Sequence, residues 1–422
     1  MHAAIIILVF LCTFVGMAAG RLPHLQIDRT GIALLGVIVL LASEIVTLDE
    51  LGASIDVSTL VLLFALMIIS AQFVSAGFFE LTADWVMGKA ESPAMLLALT
   101  VAVGGALSAL LANELVIVTM TPLLIVGAQS RALDPRPFLI ALLGAANAGS
   151  AATLIGSPPN ILIGQIGELS FHLYLLAGVV PALMGLASVF AVTWLLWRNR
   201  MEAPVPEGGI PDLPRHPHDR HQTVKGLAGM AVLLLLFSTP LPREVGGLLI
   251  AAALLTNRRF TNRIMIAAVD WPLLLLFVCL FAITGALADT GIPWVLISWL
   301  QGHGLWPDNL VVLAPVTLVM SNVLGNTPWV ILLLQVWPNP PHGALYALAV
   351  LSSLAANLTL LGSLASVVAV ERAETLGVRL SFAEYARAGV PFTLISMVLA
   401  VCWLAWTGWL PWVSGGAAAI AN

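Results

Sequence analysis

Apolar residues run through this chain in long blocks, and the polar residues that interrupt the blocks are of two kinds. The first kind is charged or proline-rich and separates one block from the next, as connections between membrane spans do. The second kind lies inside blocks and is built from amides, hydroxyls, Gly and Pro. It comprises Ala112-Asn113-Glu114, Gly156-Ser157-Pro158-Pro159-Asn160, Ser321-Asn322 with Asn326-Thr327-Pro328, and Asn357 to Ser363. A helix cannot stop within hydrocarbon unless its freed N–H and C=O groups find partners, so such interruptions are expected only where they line a polar cavity. Two of them also repeat. Ala152-Thr153-Leu154-Ile155-Gly156-Ser157 returns as Leu358-Thr359-Leu360-Leu361-Gly362-Ser363. Matching helix breaks in the two halves of a membrane protein point to a secondary transporter whose site lies between the repeats.

Charge fixes the expected topology. Arg21 and Arg29 follow the first block, Lys89 the third, and Arg131 with Arg136 the stretch that begins at Pro93, while the gap holding Asp49, Glu50 and Asp56 has no cation. With Lys and Arg inside, residues about 93–130 enter and leave on the cytoplasmic side as a re-entrant hairpin with Asn113 and Glu114 at its tip. A broken helix over about 138–167 follows. Residues 198–223, rich in Pro and His, form a cytoplasmic linker between the halves. Arg258, Arg259 and Arg263 place the next loop inside. The flanks of a second hairpin, about 305–337, contain no Lys or Arg, so that hairpin enters from outside. A second broken helix over about 345–370 leads back to Arg372, Arg379 and Arg387, and Val390–Trp412 exits. The expected fold is an all-α polytopic membrane protein of two inverted repeats, 1–197 and 224–422. Each repeat has about five transmembrane helices and one re-entrant hairpin, and both termini lie outside the cytoplasmic (inner) membrane. Trp294, Trp299, Trp306, Trp329, Trp337, Trp406, Trp409 and Trp412 fall near the proposed outer boundary, as aromatic belts do.

Composition agrees with the solvent this implies: 60% hydrophobic and 9% charged residues, with a mean hydropathy of +1.01, leave no surface for a soluble protein. At 422 residues there is room for roughly ten spans of ~20 residues. The net charge of −5 says little about partners other than the lipid bilayer, and no nucleic-acid partner is expected. The N-terminus lacks a basic region and a small-residue cleavage site, so Ala3 to Gly20 reads as a retained span. Cys12, Cys279 and Cys402 have neither disulfide nor metal spacing. The cluster Arg215-His216-Pro217-His218-Asp219-Arg220-His221 reads as solvated linker rather than a metal site. No Walker loop, Ser-His-Asp order or HExxH helix is present, so an ATPase or hydrolase finds no support and no enzyme or cofactor is expected.

The candidate site follows from the breaks. Asn113, Asn160, Asn326 and Asn357 supply amides, Thr153, Ser157, Thr327, Thr359 and Ser363 supply hydroxyls, and Gly156 and Gly362 end helices whose restarting halves present N–H groups to an anion. Asn147 and Asn322 read equally as amides that satisfy neighbouring backbone. Glu114 is a carboxylate at a hairpin tip. A charge at that depth costs ~2.5–3.5 kcal/mol on insertion scales, so it reads as the carrier of a coupling proton or sodium ion. No Lys or Arg lies in any predicted span core, which leaves dipoles, amides and hydroxyls to hold a small oxyanion, carboxylate or neutral hydroxide.

On these residues the chain resembles the ion transporter superfamily. Ala152-Thr153-Leu154-Ile155-Gly156-Ser157-Pro158-Pro159-Asn160 is similar to the ATxIGxPPN signature of ArsB/NhaD permeases, P-protein relatives and divalent anion/sodium symporters. Ala112-Asn113-Glu114 resembles the Ala-Asn-Asp hairpin tip of ArsB-type permeases, with Glu for Asp, and Asn357 to Ser366 resembles their NxTxxGS element. The resemblance implies a scaffold and a mobile transport domain, elevator-like movement and a homodimer. The function it implies is secondary transport of a small anion, oxyanion or metalloid species, with proton- or potential-coupled efflux of the arsenite or antimonite type foremost. A sodium-coupled carboxylate or divalent anion permease and a sodium/proton antiporter are the rivals within transporters. A passive channel, or the membrane subunit of a pump driven by a soluble ATPase partner, are the rivals from other classes.

Overall fold

The computed structural model of the chain describes residues 2–19, 27–203, 209, 213, 217–256, 262–337 and 339–412. Arg21, Arg215, His216, Arg258, Arg259 and the tail after Trp412 lie outside the described residues. The first half contains α1 (His2–Ala19), α2 (Arg29–Ala42), α3 (Leu48–Ser54), α4 (Val57–Ser75), α5 (Phe78–Lys89), α6 (Pro93–Leu110), α7 (Asn113–Gln129), α8 (Pro135–Ser150), α9 (Pro158–Ile166) and α10 (Phe171–Trp197). The second contains α11 (Arg220–Leu236), α12 (Arg243–Leu255), α13 (Asn262–Ala267), α14 (Trp271–Asp289), α15 (Ile292–Gly302), α16 (Leu310–Val323), α17 (Asn326–Val336), α18 (His342–Ala355), a 3-10 turn (Leu360–Gly362), α19 (Leu364–Thr375) and α20 (Phe382–Trp406). Among the described residues there is no β-ladder beyond one isolated bridge, Leu133 to Glu202.

The helices start where the sequence supplies caps. Asp28, Asp56, Ser92, Asp134, Ser170, Asp219, Asp270, Asn309 and Ser381 each accept a backbone N–H of the helix they precede. Pro93 and Pro135 occupy first turns, where the missing N–H costs nothing. Five described helices, α4, α6, α10, α14 and α20, are long and apolar enough to cross a membrane. Several others are apolar but shorter, α7, α16, α17 and α18 among them.

The order of helix lengths recurs. From α1 to α10 they are 18, 14, 7, 19, 12, 18, 17, 16, 9 and 27 residues, and from α11 to α20 they are 17, 13, 6, 19, 11, 14, 11, 14, 12 and 25. The lengths run in a similar order in the two halves, and several contacts cross between them in matching pairs. α2 packs on α14 and α12 on α4, α7 packs on α19 and α17 on α9, and α10 lies along α20. Neither half closes its own core.

At the centre, α8 from Pro137 to Ser150 and α18 from Ala344 to Ala355 are buried on every face, as helices without a polar stripe must be. Their Gly, Ala and Ser residues permit the close approach. At Gly149 an added Cβ would overlap the carbonyl of Gly105 on α6.

Several expectations are corrected. α20 begins at Phe382, not Val390, because Ser381 caps it by accepting from the Glu384 N–H, and Arg387 is therefore helical rather than in a loop. The connections after α4 and α14 are the helices α5 and α15. Trp306, Trp329 and Trp337 are buried, with Trp306 and Trp337 packed edge to face, so they belong to the core and not to a belt; Trp294, Trp299, Trp406 and Trp412 are exposed. The linker is anchored at both described ends. Asp134 N–H donates to Met201 C=O at 2.8 Å, Ala203 N–H to Ala132 C=O at 3.0 Å, and Asp219 N–H to Ala76 C=O at 3.0 Å. Asp219 caps α11, and no metal-binding cluster occurs among the described residues.

Candidate functional site

Four helices start around one point. α7 begins at the first hairpin tip, α17 at the second, and α9 and α19 restart after the two breaks. None of these has a side-chain cap. Ser157 and Ser363 precede α9 and α19 but do not bond the helix behind them, so the usual task of a Ser N-cap leaves both hydroxyls available. The four starts converge on a cavity of about 30 Å³ lined by Asn113, Glu114, Asn147, Ser157, Asn326, Thr327, Gly362, Ser363 and Arg29, among others. That is space for a water or a small ion. A second cavity of about 750 Å³ reaches the same place from one face of the molecule, between α4 and α7, past Glu80, Asp270 and Arg372. Glu114 and Ser157 line both cavities and so stand at their junction.

Three buried amides tie the first hairpin to the second break. Asn113 Nδ2 donates to Asn147 Oδ1 at 3.2 Å, Asn147 Nδ2 to Asn357 Oδ1 at 2.9 Å, and Asn357 Nδ2 to Gly144 C=O at 2.9 Å. Because each nitrogen is committed, the orientation of the chain is fixed. Asn113 Oδ1 is left without a protein partner, as are Glu114 Oε2 and Ser157 Oγ. Buried polar atoms normally find partners, and three unpartnered atoms on residues lining one cavity make it the candidate site for a water or ligand.

Seven candidates from the sequence, Asn113, Glu114, Ser157, Asn326, Thr327, Gly362 and Ser363, therefore line the cavity. The remaining five stand behind its wall with their groups engaged. Thr153 Oγ1 donates to Ala109 C=O, and Thr359 Oγ1 to Asn322 Oδ1 at 3.0 Å, each fastening a break to the adjacent hairpin. Asn160 Nδ2 donates to Ser150 and Thr153 carbonyls at 3.0 and 3.1 Å, and its Oδ1 accepts from Ser353 Oγ at 3.1 Å. Asn357 belongs to the amide chain. At Gly156 an added Cβ would lie 2.6 Å from Ser150 O and 2.7 Å from Ser108 O. Gly156 is thus required for close approach and contributes no ligand group.

Two features escaped the sequence reading. Tyr174 donates to Ala151 C=O at 3.0 Å and Tyr385 to Asn357 C=O at 3.2 Å, so both rings hold the ends of the helices that break. Their signal was a second repeat, Ser170-Phe171-His172-Leu173-Tyr174-Leu175-Leu176-Ala177-Gly178-Val179 against Ser381-Phe382-Ala383-Glu384-Tyr385-Ala386-Arg387-Ala388-Gly389-Val390. The other is Arg29, read as a loop marker. It opens α2 and reaches the second break, donating from Nη2 to Leu361 C=O at 3.5 Å. The absence of Lys and Arg from the predicted span cores left the cavity to dipoles, amides and hydroxyls; Arg29 lines it as well, because the polar tail of an arginine at a helix start extends well beyond its own Cα.

Comparison with known proteins gives a consistent family. The citrate transporter (CitMHS) family matches residues 6–339. An uncharacterized transporter of Mycobacterium tuberculosis is 30% identical over 95% of this chain and 97% of its own length. The silicon efflux transporter of Oryza sativa subsp. japonica is 26% identical over 90% of this chain and 93% of its own. In fold, the chain resembles the YdaH transporter of Alcanivorax borkumensis, with a TM-score of 0.57 at 16% identity and coverage of 97% and 99%.

Proposed function

Because the chain belongs to the citrate transporter (CitMHS) family, within the ion transporter superfamily, we propose that this multi-pass membrane transporter is a secondary active permease for a small oxygen-bearing solute. The observation that carries this is the convergence of both hairpin tips and both helix breaks on one cavity with three orphaned polar atoms. Hydroxyls, amides and helix N-termini suit an oxyanion or a metalloid hydroxide. Arsenite or antimonite efflux across the cytoplasmic membrane is the foremost reading. The rice relative is a silicon efflux transporter, which supports export of an oxygen-rich solute of this kind. A carboxylate is the second reading. It is favoured by the family's description and by Arg29 at the cavity.

Glu114, between vestibule and cavity, carries the coupling proton. The recurring helix lengths and exchanged packing partners support two inverted repeats. They also support alternating access. α14 packs on α17, whereas the vestibule occupies the equivalent place between α4 and α7, so this state is open on the side of Glu80, Asp270 and Arg372. Positive-inside counting assigns that side to the cytoplasm. An elevator movement of the hairpins and broken helices against the rest exchanges the open and closed clefts.

The test is accumulation of arsenite, and in parallel of citrate, in everted membrane vesicles under an imposed proton gradient without ATP. Wild type is expected to accumulate one of the two, and Glu114→Gln to lose the gradient dependence. Downhill equilibration alone in wild type indicates a channel. A strict need for sodium transfers the coupling role to that ion.

A further inference from the structure

Arg29 stands where its surroundings disfavour a cation. It is the first residue of α2, and Asp28 spends its Oδ1 on the Gly31 N–H at 2.8 Å. A positive side chain at a helix N-terminus is opposed by the helix's own dipole. Here the starts of α7, α9, α17 and α19 converge on the same cavity. Its five N–H donors make a single hydrogen bond to described protein groups, the long contact to Leu361 C=O at 3.5 Å. Arg243 shows what the same position does when it is structural. It opens α12, the counterpart of α2, and donates to Gly164 C=O at 2.8 Å and also to Leu169 C=O. Arg29 thus lines the small cavity with donors to spare, together with Ser157, 3% exposed, whose orphaned hydroxyl can donate to an anion; Asn113 Oδ1 can only accept.

We propose that Arg29 is the residue that selects solute charge: its guanidinium takes the oxygens of an anionic carboxylate or oxyanion, so the transported species binds as an anion. This rests on the permease reading and, within it, moves the substrate from the neutral arsenite of the foremost reading to the anionic carboxylate or oxyanion of the second. A planar fork matches two oxygens of an anion, and charge-assisted hydrogen bonds are roughly twice as strong as neutral ones. A neutral hydroxide such as arsenious or silicic acid gains only the neutral part. The hairpin tip makes room for the approach. Gly325 has φ +96°, and a Cβ there would face Arg29 Nη1 at 3.8 Å. The other charged groups around the site are Glu114, at the junction, and Glu80, Asp270 and Arg372, which line the vestibule and not the cavity. Arg29 is therefore the one described cation lining the small cavity.

The experiment is ligand-induced thermal stabilisation of the purified full-length protein, read for citrate, phosphate, sulfate and arsenate against arsenite and silicic acid at neutral pH. At least one anion is expected to stabilise wild type, to need at least about tenfold higher concentration with Arg29→Gln, and to recover in part with Arg29→Lys. A neutral hydroxide that also binds should shift less than twofold. Arg372→Gln, in the vestibule, controls for loss of general positive potential and should leave the anion midpoint within twofold. Stabilisation by neutral hydroxides alone, by no anion, or equally in wild type and Arg29→Gln overturns the proposal. Anion binding lost in Arg29→Gln without gradient-driven transport in vesicles would instead refute the permease reading and leave Arg29 as an anion-binding residue.

Discussion

Replacing Asn147 with Ala removes the middle of the buried amide chain. Two hydrogen bonds go, from Asn113 at 3.2 Å and to Asn357 at 2.9 Å, and the orphans left behind, Asn113 Nδ2 and Asn357 Oδ1, sit on residues 4% and 1% exposed. An unsatisfied buried polar group costs about 1–3 kcal/mol, whereas side-chain hydrogen bonds within membrane proteins average about 0.6 kcal/mol and reach about 1.7. Taking the overlap of these scales for two bonds, the single substitution should cost about 2–3 kcal/mol. Asn357→Ala also loses two bonds, to Asn147 and to Gly144 C=O, one of them shared. The double variant should therefore cost less than the sum of the singles by the shared bond, about 0.6–1.7 kcal/mol. Reversible unfolding in mixed detergent micelles measures all four corners of the cycle. A coupling below about 0.3 kcal/mol, within the additivity expected of independent sites, would refute the amide chain as a connected unit.

Two further outcomes are expected. Gly156→Ala places a Cβ against backbone oxygens of both Ser150 and Ser108, so it should lower the melting temperature sharply, whereas Gly88→Ala, with open space around it, should leave it unchanged; equal melting temperatures for the two variants would count against the clasp. Ser157→Ala removes a hydroxyl that caps nothing and should change stability by less than about 0.5 kcal/mol while raising the KM of transport severalfold. Ser381→Ala removes a functioning cap and should cost about 1 kcal/mol with KM unchanged, and the reverse pattern would exclude Ser157 from the site.

Several helix starts were legible because caps and prolines punctuate the apolar blocks. Ser92-Pro93, Asp134-Pro135 and Ser157-Pro158 each mark a helix start in one dimension. Which polar groups face the cavity was not legible, since an amide in an apolar helix serves equally well to bind solute or to satisfy backbone. Asn160 and Asn357, read as ligands, spend their amide groups on protein partners, while Asn147, read as evenly balanced, both bonds its neighbours and lines the cavity. The helical period offers no discrimination here, because α8 and α18 are enclosed on all sides. Arg29 escaped because a charge count treats every cation near a block's end as loop, whereas reach depends on where the helix begins and where its side chain leads.

Residues that repeat and residues that do not divide by task. Thr153 and Thr359, Gly156 and Gly362, and Tyr174 and Tyr385 occupy matching places, and each pair spends its polar group or its missing side chain on backbone or on a neighbouring wall residue. They build the same clasp twice. The differences sit at the cavity itself. The first hairpin tip carries Glu114 where the second carries Thr327, and the first break restarts as Pro158-Pro159-Asn160 where the second restarts as Leu364-Ala365-Ser366. Arg29 and Arg243 share a position, yet one faces the cavity and the other is bound to the end of α9. A site assembled from two equal clasps alone would hold a solute without preference for either half. Among the described residues lining the small cavity, Glu114 is the one carboxylate and Arg29 the one guanidinium, and they give the cavity a polarity that the repeated contacts lack.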